Sequence, residues 1–213
     1  MLNDALAALV TMLVVTDPIG IAPIYISMTD GMPAAMRQGV GIRAARIATL
    51  VLAGTALVGS WLLVQLEIGL PAFRISGGLL LFAIAFDMVF GSHSTRAAQQ
   101  VENTSIEHTR DVAVFPLAIP LIAGPGAITA TLLLAGRVHH DIAGLTMLIG
   151  VIVATGGVCL ITFLLAERIV RTSNIIKIGV VSRLLGVLSR LLGVLLAALA
   201  VQFVIDGARA AFS

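Results

Sequence analysis

Between residues 5 and 28 the chain carries one formal charge, Asp17, and Pro18 follows it at once. The stretch 15–29 reads VTDPIGIAPIYISMT. An aspartate, two prolines, a glycine and two threonines thus sit inside a segment long and apolar enough to cross a bilayer. A helix through Pro18 loses one N–H donor and crowds the carbonyl four residues earlier. In hydrocarbon the freed backbone groups must find protein partners or line a water-filled cavity. The stretch therefore predicts a broken helix whose polar groups face the inside of a bundle. A second stretch, 119–131 (IPLIAGPGAITAT), echoes it half a chain later. Proline-interrupted apolar segments in both halves of a chain point to a carrier with its site between them, near mid-membrane.

Composition narrows the class. Only 11% of the 213 residues are charged and 59% are apolar, against about 25% charged in soluble domains. The length leaves room for six spans and no soluble domain of useful size. Net charge is +2 with scattered basic residues, so the basic face that nucleic-acid binding needs is missing. Cys159 stands alone in an apolar run and reads as a small core residue. No basic n-region or A-x-A site marks a cleavable signal, and the first helix is expected to stay. Nucleophile-elbow, zincin and P-loop motifs are missing, so neither an enzyme nor a cofactor is expected.

In chain order the expected spans are 5–28 (interrupted at Asp17 and Pro18 and again at Pro23), 40–66, 72–90, 112–134, 142–166 and 175–205. The only long polar stretch, 91–111, separates a first three-helix half (1–90) from a second (112–213). Five of the seven prolines fall in spans one and four, which predicts two broken helices and four continuous ones. Lys and Arg gather in the first, third and fifth connections, placing these in the cytoplasm and both termini outside. Pro18 aligns with Pro125, and RISGGLLLFAIAFDMVFG from Arg74 aligns with RLLGVLLAALAVQFVIDG from Arg190. Three spans per half means opposite insertion, an inverted repeat. SRLLGVL occurs twice in tandem, at 182–188 and 189–195. Pro18 to Arg74 is 56 residues, whereas Pro125 to Arg190 is 65, so one copy reads as an insertion, worth about 10 Å of helix. It sets Gly179, Gly186 and Gly193 at heptad spacing as a packing seam and brings Arg183 and Arg190 to one face.

The blocks DPIGIAPIY, RISGGLLLFAIAFDMV, PLAIPLIAGPGAITA and RLLGVLLAALAVQFVIDG, in this order over nearly the whole chain, resemble the MarC/SnatA family of integral membrane proteins. That family is related to LysE-type exporters and has carried a multiple-antibiotic-resistance label. One branch is associated with small neutral amino acids such as glycine and alanine. The resemblance implies six spans in two inverted halves. By motif, Asp17, Pro18, Gly20 and Pro23 match the first break, and Gly124, Pro125 and Gly126 the second. Ile21 departs from the Asn that many relatives carry after the glycine.

Each singled-out residue has a bland and a sharp reading. Asp17 before Pro18 is a good N-cap, or a ligand for substrate or proton. Half-helix N-termini after Pro18 and Pro125 could hold a carboxylate. Thr16, Thr129 and Thr131 could contact substrate or re-satisfy broken backbone. Gly20, Gly124 and Gly126 serve close backbone approach or helix packing. Asp87 reads as an interfacial carboxylate and Arg74 as a snorkelling anchor. His139, His140 and Asp141 lack metal-ligand spacing. The expectation is an all-α bacterial inner-membrane carrier of small neutral amino acids, with H⁺ or Na⁺ as candidate coupling ions. Its expected substrate contacts are Asp17, Pro18, Gly20, Pro23, Gly124, Pro125, Gly126 and Thr129. An exporter of other metabolites and a non-transporting scaffold are the alternatives.

Overall fold

The computed structural model describes residues 2–90, 113–138, 141–172 and 175–212, with side chains at all of these except 60, 115–116 and 169–185. The expected linker 91–111, the pair His139 and His140, and the side chains of Gly179 and Arg183 lie outside this set. Among the described residues the chain is all-helical. α1 (Leu2–Thr16) and α2 (Pro18–Met28) meet at Asp17. α3 (Ala34–Gln65) and α4 (Leu70–Phe90) follow. A π-helical segment (Ala113–Ile122) leads to α5 (Pro125–Val138), α6 (Ile142–Thr172) and α7 (Ile175–Phe212).

Among the described residues, five units are long and apolar enough to cross a membrane: Leu2–Met28, Ala34–Gly59, Leu70–Phe90, Ile142–Arg168 and Gly186–Phe212. Their outward faces carry exposed Leu50, Leu57, Leu79, Phe82, Val153, Ile161, Leu191 and Val194. An apolar outer surface over several helices suits lipid rather than water. Trp61, exposed near the end of α3, is placed as an interfacial aromatic. Over the remaining expected span, 112–134, the structure has two shorter pieces, the π segment and α5.

Local sequence explains the boundaries. α3 begins six residues before the expected 40, because Pro33 sets the entry and the polar residues after it are compatible with helix. α4 begins at Leu70, with Pro71 in its first turn, where a missing N–H breaks no helical bond. The π segment ends with Ala123 N–H donating to the Ala118 carbonyl, five residues back, at 2.8 Å. Pro116 and Pro120 remove two donors that an α register would use, and the wider register follows; the Ile119–Pro120 bond is cis. The interruption expected at Pro23 is corrected. α2 runs unbroken from Pro18 to Met28 with Pro23 inside it. Pro23 sits on the exposed face, while Ala22 and Tyr25 are buried. On this exposed face the one missing i→i−4 bond does not end the helix.

α4 and α7 make the most extensive helix contact of the fold, running antiparallel. Glycines set their spacing. A Cβ on Gly78 would stand 2.8 Å from the Ala200 carbonyl oxygen, and one on Gly193 would stand 2.9 Å from the Met88 Cβ. Of the two described glycines of the seam expected in α7, Gly193 packs closely and Gly186 does not. Gly186 meets nothing within 4 Å. α4 ends at Phe90, just past the level of Gly193, and seven residues carry α7 about 10 Å beyond it. Gly193→Leu should therefore lower stability by about 1–3 kcal/mol through overpacking. Gly186→Leu, at the same heptad position, should leave it unchanged. Thermal unfolding of the detergent-solubilised variants distinguishes them; equal losses would mean that the α4–α7 spacing is not glycine-limited.

α1 and α2 lie at the centre, touching α5, α6 and α7. Met12, Tyr25, Leu81, Leu133 and Phe163 are fully buried around them. The Tyr25 ring stacks on Phe163 at 4.6 Å, and its hydroxyl donates to the Arg37 carbonyl at 2.9 Å.

Candidate functional site

The first break is built by Asp17. Its backbone is left-handed (φ 41, ψ 63), a conformation that Asp and Asn tolerate better than most residues. Its N–H still closes α1 on the Leu13 carbonyl at 3.0 Å, and its own carbonyl accepts from Ile21 N–H at 3.1 Å. Oδ1 accepts from Gly20 N–H at 3.0 Å, and Oδ2 accepts from the Ser189 hydroxyl of α7 at 2.6 Å. The carboxylate is thus 5% exposed and tied on both oxygens. It caps α2 and anchors the break to α7. A Cβ on Gly20 would collide with this carboxylate, which is why glycine is required there. Ser189 opens the second SRLLGVL copy, so the repeated heptad reaches the break directly.

The second break lacks a side-chain cap of this kind. Gly124 precedes α5, its carbonyl accepting from Ile128 N–H at 2.9 Å. A Cβ on Gly124 would run into the Pro120 carbonyl oxygen. The first N–H groups of a helix have no intrahelical partner, and glycine offers no side chain to take them.

The two breaks meet. A Cβ on Gly126 would stand 3.2 Å from Val15 and 2.6 Å from Ile84. Val15 and Thr16 from the first break, and Gly124, Pro125, Gly126 and Ala127 from the second, line one cavity of about 360 Å³. α4 closes it with Leu80, Ala83, Ile84 and Asp87. Of the expected contacts, the structure brings Gly124, Pro125 and Gly126 to this cavity. Asp17, Pro18 and Gly20 do not line it, and Pro23 is exposed. Thr129 is buried with its methyl towards Gly77. Thr16 lines the cavity, but its hydroxyl donates back to the Met12 carbonyl at 2.6 Å. Thr131 donates to the Met12 sulfur at 3.7 Å. Ile21 is 5% exposed and belongs to the core.

Sequence reasoning left two positions too low. Asp87, by sequence an interfacial carboxylate, also lines the cavity. Glu167 was passed over among the residues before the fifth connection. It is 2% exposed and lies near Tyr25. A carboxylate at the end of the apolar run 142–166 was the available signal, since ionisable residues inside a span mark function by default.

A helical bundle with an apolar outer face, two interrupted helices meeting at a cavity, and a carboxylate on its wall defines a polytopic integral membrane protein. The MarC family integral membrane protein model matches residues 2–212. A UPF0056 membrane protein of Methanocaldococcus jannaschii is 32% identical over 197 residues, 92% of each chain. One from Archaeoglobus fulgidus is 34% identical over 201 residues, covering 94% of this chain and 90% of its own. The UPF0056 membrane protein YhcE of Escherichia coli is 30% identical over 196 residues, covering 92% of this chain and 87% of its own. No solved structure matches. The chain belongs to the MarC family of integral membrane proteins.

Proposed function

We propose that this protein is a carrier of small neutral amino acids, glycine and alanine first, working by alternating access. The observation behind this reading is the cavity shared by both breaks. The uncapped N-terminus of α5 is suited to a carboxylate. Asp87 on the α4 wall is suited to an ammonium group. Thr16, Gly124, Gly126 and Ala127 line the cavity with small side chains. The N-terminus of α2 is already neutralised by Asp17, so the geometry favours one carboxylate site, at α5, over two equivalent ones. Asp17 then holds the shape of the break, and Asp87 takes the ligand role.

Six spans in two inverted halves fit this reading. Aligning Arg74 with Arg190 places Met88 on Val204. In the antiparallel α4–α7 pair Gly193 packs on Met88 and Gly78 on Val204; the alignment pairs Gly193 with the neighbouring Gly77, so the two contacts are one residue out of exact reciprocity. The basic first, third and fifth connections favour termini outside a bacterial inner membrane. An impermeant maleimide on intact cells should label a cysteine at Asn3 and spare one at Ser105; the reverse would invert the orientation. H⁺ or Na⁺ coupling is read from the same vesicles by imposing each gradient in turn. The test of function is counterflow of labelled glycine, alanine and serine in proteoliposomes. Counterflow of glycine and alanine is expected. Its absence with folded, monodisperse protein would return the chain to exporter of another metabolite or membrane scaffold.

A further inference from the structure

A second cavity, of about 400 Å³, opens at the end of the bundle where α1 begins and α5 and α7 finish. Its walls carry both signs of charge: Arg137 of α5 on one side, and Asp4 and Asp141 from α1 and the α5–α6 connection. Arg137 is held in place rather than loose. Its guanidinium lies 5.0 Å over the Phe203 ring and 3.5 Å from Asp206, whose other oxygen accepts from the Gln202 amide at 2.7 Å. One ion pair uses a fraction of the five N–H donors of a guanidinium, and the arginine is half-exposed. It can accept a carboxylate in bidentate fashion without leaving its support. A facing acidic side chain suits an ammonium group.

This vestibule and the break cavity share two helices. On α1 the vestibule reaches Thr11 and the break cavity begins at Val15; on α5 they reach Leu134 and Ala127. Thr11 to Val15 is one helical turn, about 6 Å. Met12 and Thr131, both fully buried, fill the interval and touch through the Thr131 hydroxyl and Met12 sulfur. A flexible thioether is a side chain that can change rotamer without backbone movement.

We propose that the vestibule is a second binding site for small zwitterions, an outer station on the path to the break cavity, and that the Met12–Thr131 contact is the wall that parts between them. This inference rests on the carrier reading above. Arg137 binds the carboxylate, and Asp141, whose Oδ1 also accepts from Ala143 N–H at 3.0 Å, attracts the ammonium group. The vestibule selects for the zwitterion.

The test uses two single-cysteine reporters in a Cys159→Ala background: Met147→Cys, on the vestibule wall, and Ala83→Cys, on the break cavity wall. Purified protein is labelled with maleimide across a glycine titration. Glycine should slow labelling at both positions, while acetate and glycinamide, each with half of the zwitterion, should protect Met147→Cys poorly. Arg137→Gln should raise the half-protecting glycine concentration at Met147→Cys by about tenfold or more and leave that at Ala83→Cys unchanged. Arg137→Lys, which keeps the charge if the glutamine variant folds badly, should retain partial protection. Protection at Ala83→Cys alone overturns the second site and leaves the carrier standing. Protection at neither removes both. Protection at Met147→Cys that ignores Arg137→Gln, or that acetate reproduces, also overturns the proposal. In sealed vesicles, an impermeant reagent added from the side that labels Met147→Cys should reach Ala83→Cys about tenfold faster once Met12→Ala opens the wall. Equal rates would show that Met12 is not the barrier.

Discussion

Gly126→Val should abolish glycine counterflow, by about a hundredfold or more, while the protein stays folded. A Cβ at this position meets the tip of Ile84 at 2.6 Å and Val15 at 3.2 Å. Ile84 can swing aside by a rotamer change, so Gly126→Ala should keep part of the activity. Valine adds two methyl groups at the first turn of α5, where the cavity is lined by Gly126 and Ala127. They cover the N–H groups proposed to hold the carboxylate and stiffen the junction between the breaks. A hundredfold loss corresponds to about 2.7 kcal/mol of lost stabilisation, the size expected when one charge-assisted site is blocked. Gly124 provides the control. A Cβ there meets a backbone oxygen, that of Pro120, which no rotamer can move. Gly124→Ala should lose expression or melt early instead of giving folded, inactive protein. Normal counterflow in Gly126→Val would take the substrate out of this cavity.

Residue type carried the reading furthest where chemistry forbids alternatives. Prolines 18 and 125 cannot continue a helix without loss, and the structure breaks at both. Asp17 before Pro18 has the pattern of an N-cap, and it caps. Pro23 misled because proline is costly only where its missing bond and ring clash cannot be absorbed; on an exposed face of a short helix they were. The heptad glycines misled for a related reason. Spacing along α7 says which residues share a face, but not where the partner helix ends, and α4 ends at the level of Gly193. The π register of Ala113–Ile122 has no periodic signature that separates it from a helix rich in proline. The cavity walls were the least legible. Asp87, Val15 and Ile84 converge through tertiary packing of α4 on the breaks, and no local pattern encodes which carboxylate turns inward. The Ser189 bond to Asp17 spans 172 positions, and only the repeated heptad in α7 hinted that this region was special.

Substitution at Asp17 should separate the capping role from the ligand role. Asp17→Ala removes the acceptor for Gly20 N–H, about 0.5–2 kcal/mol for a lost cap. It also forces alanine into a left-handed conformation, about 1–2 kcal/mol more, and strips the Ser189 hydroxyl of its acceptor. A loss of about 2–4 kcal/mol is expected from these terms, large against the stability of most domains. Asp17→Asn keeps an oxygen for Gly20 N–H, tolerates the same backbone and leaves an amide that can donate to Ser189. It should melt near the parent and transport near the parent, because the carboxylate does not line the cavity. Asp87→Asn should show the opposite split, with unchanged melting and weakened glycine binding. Deleting residues 189–195 sharpens the point. The two copies are identical, so one SRLLGVL remains, with its serine in the same register to the α7 residues that pack on α4. The serine returns to Asp17, and the deletion variant should fold. Changing that remaining serine to alanine should cost stability in the deletion variant as in the full chain. If Asp17→Asn instead folded normally and lost transport, Asp17 itself would be the ammonium ligand, and the first break would be the binding site rather than its support.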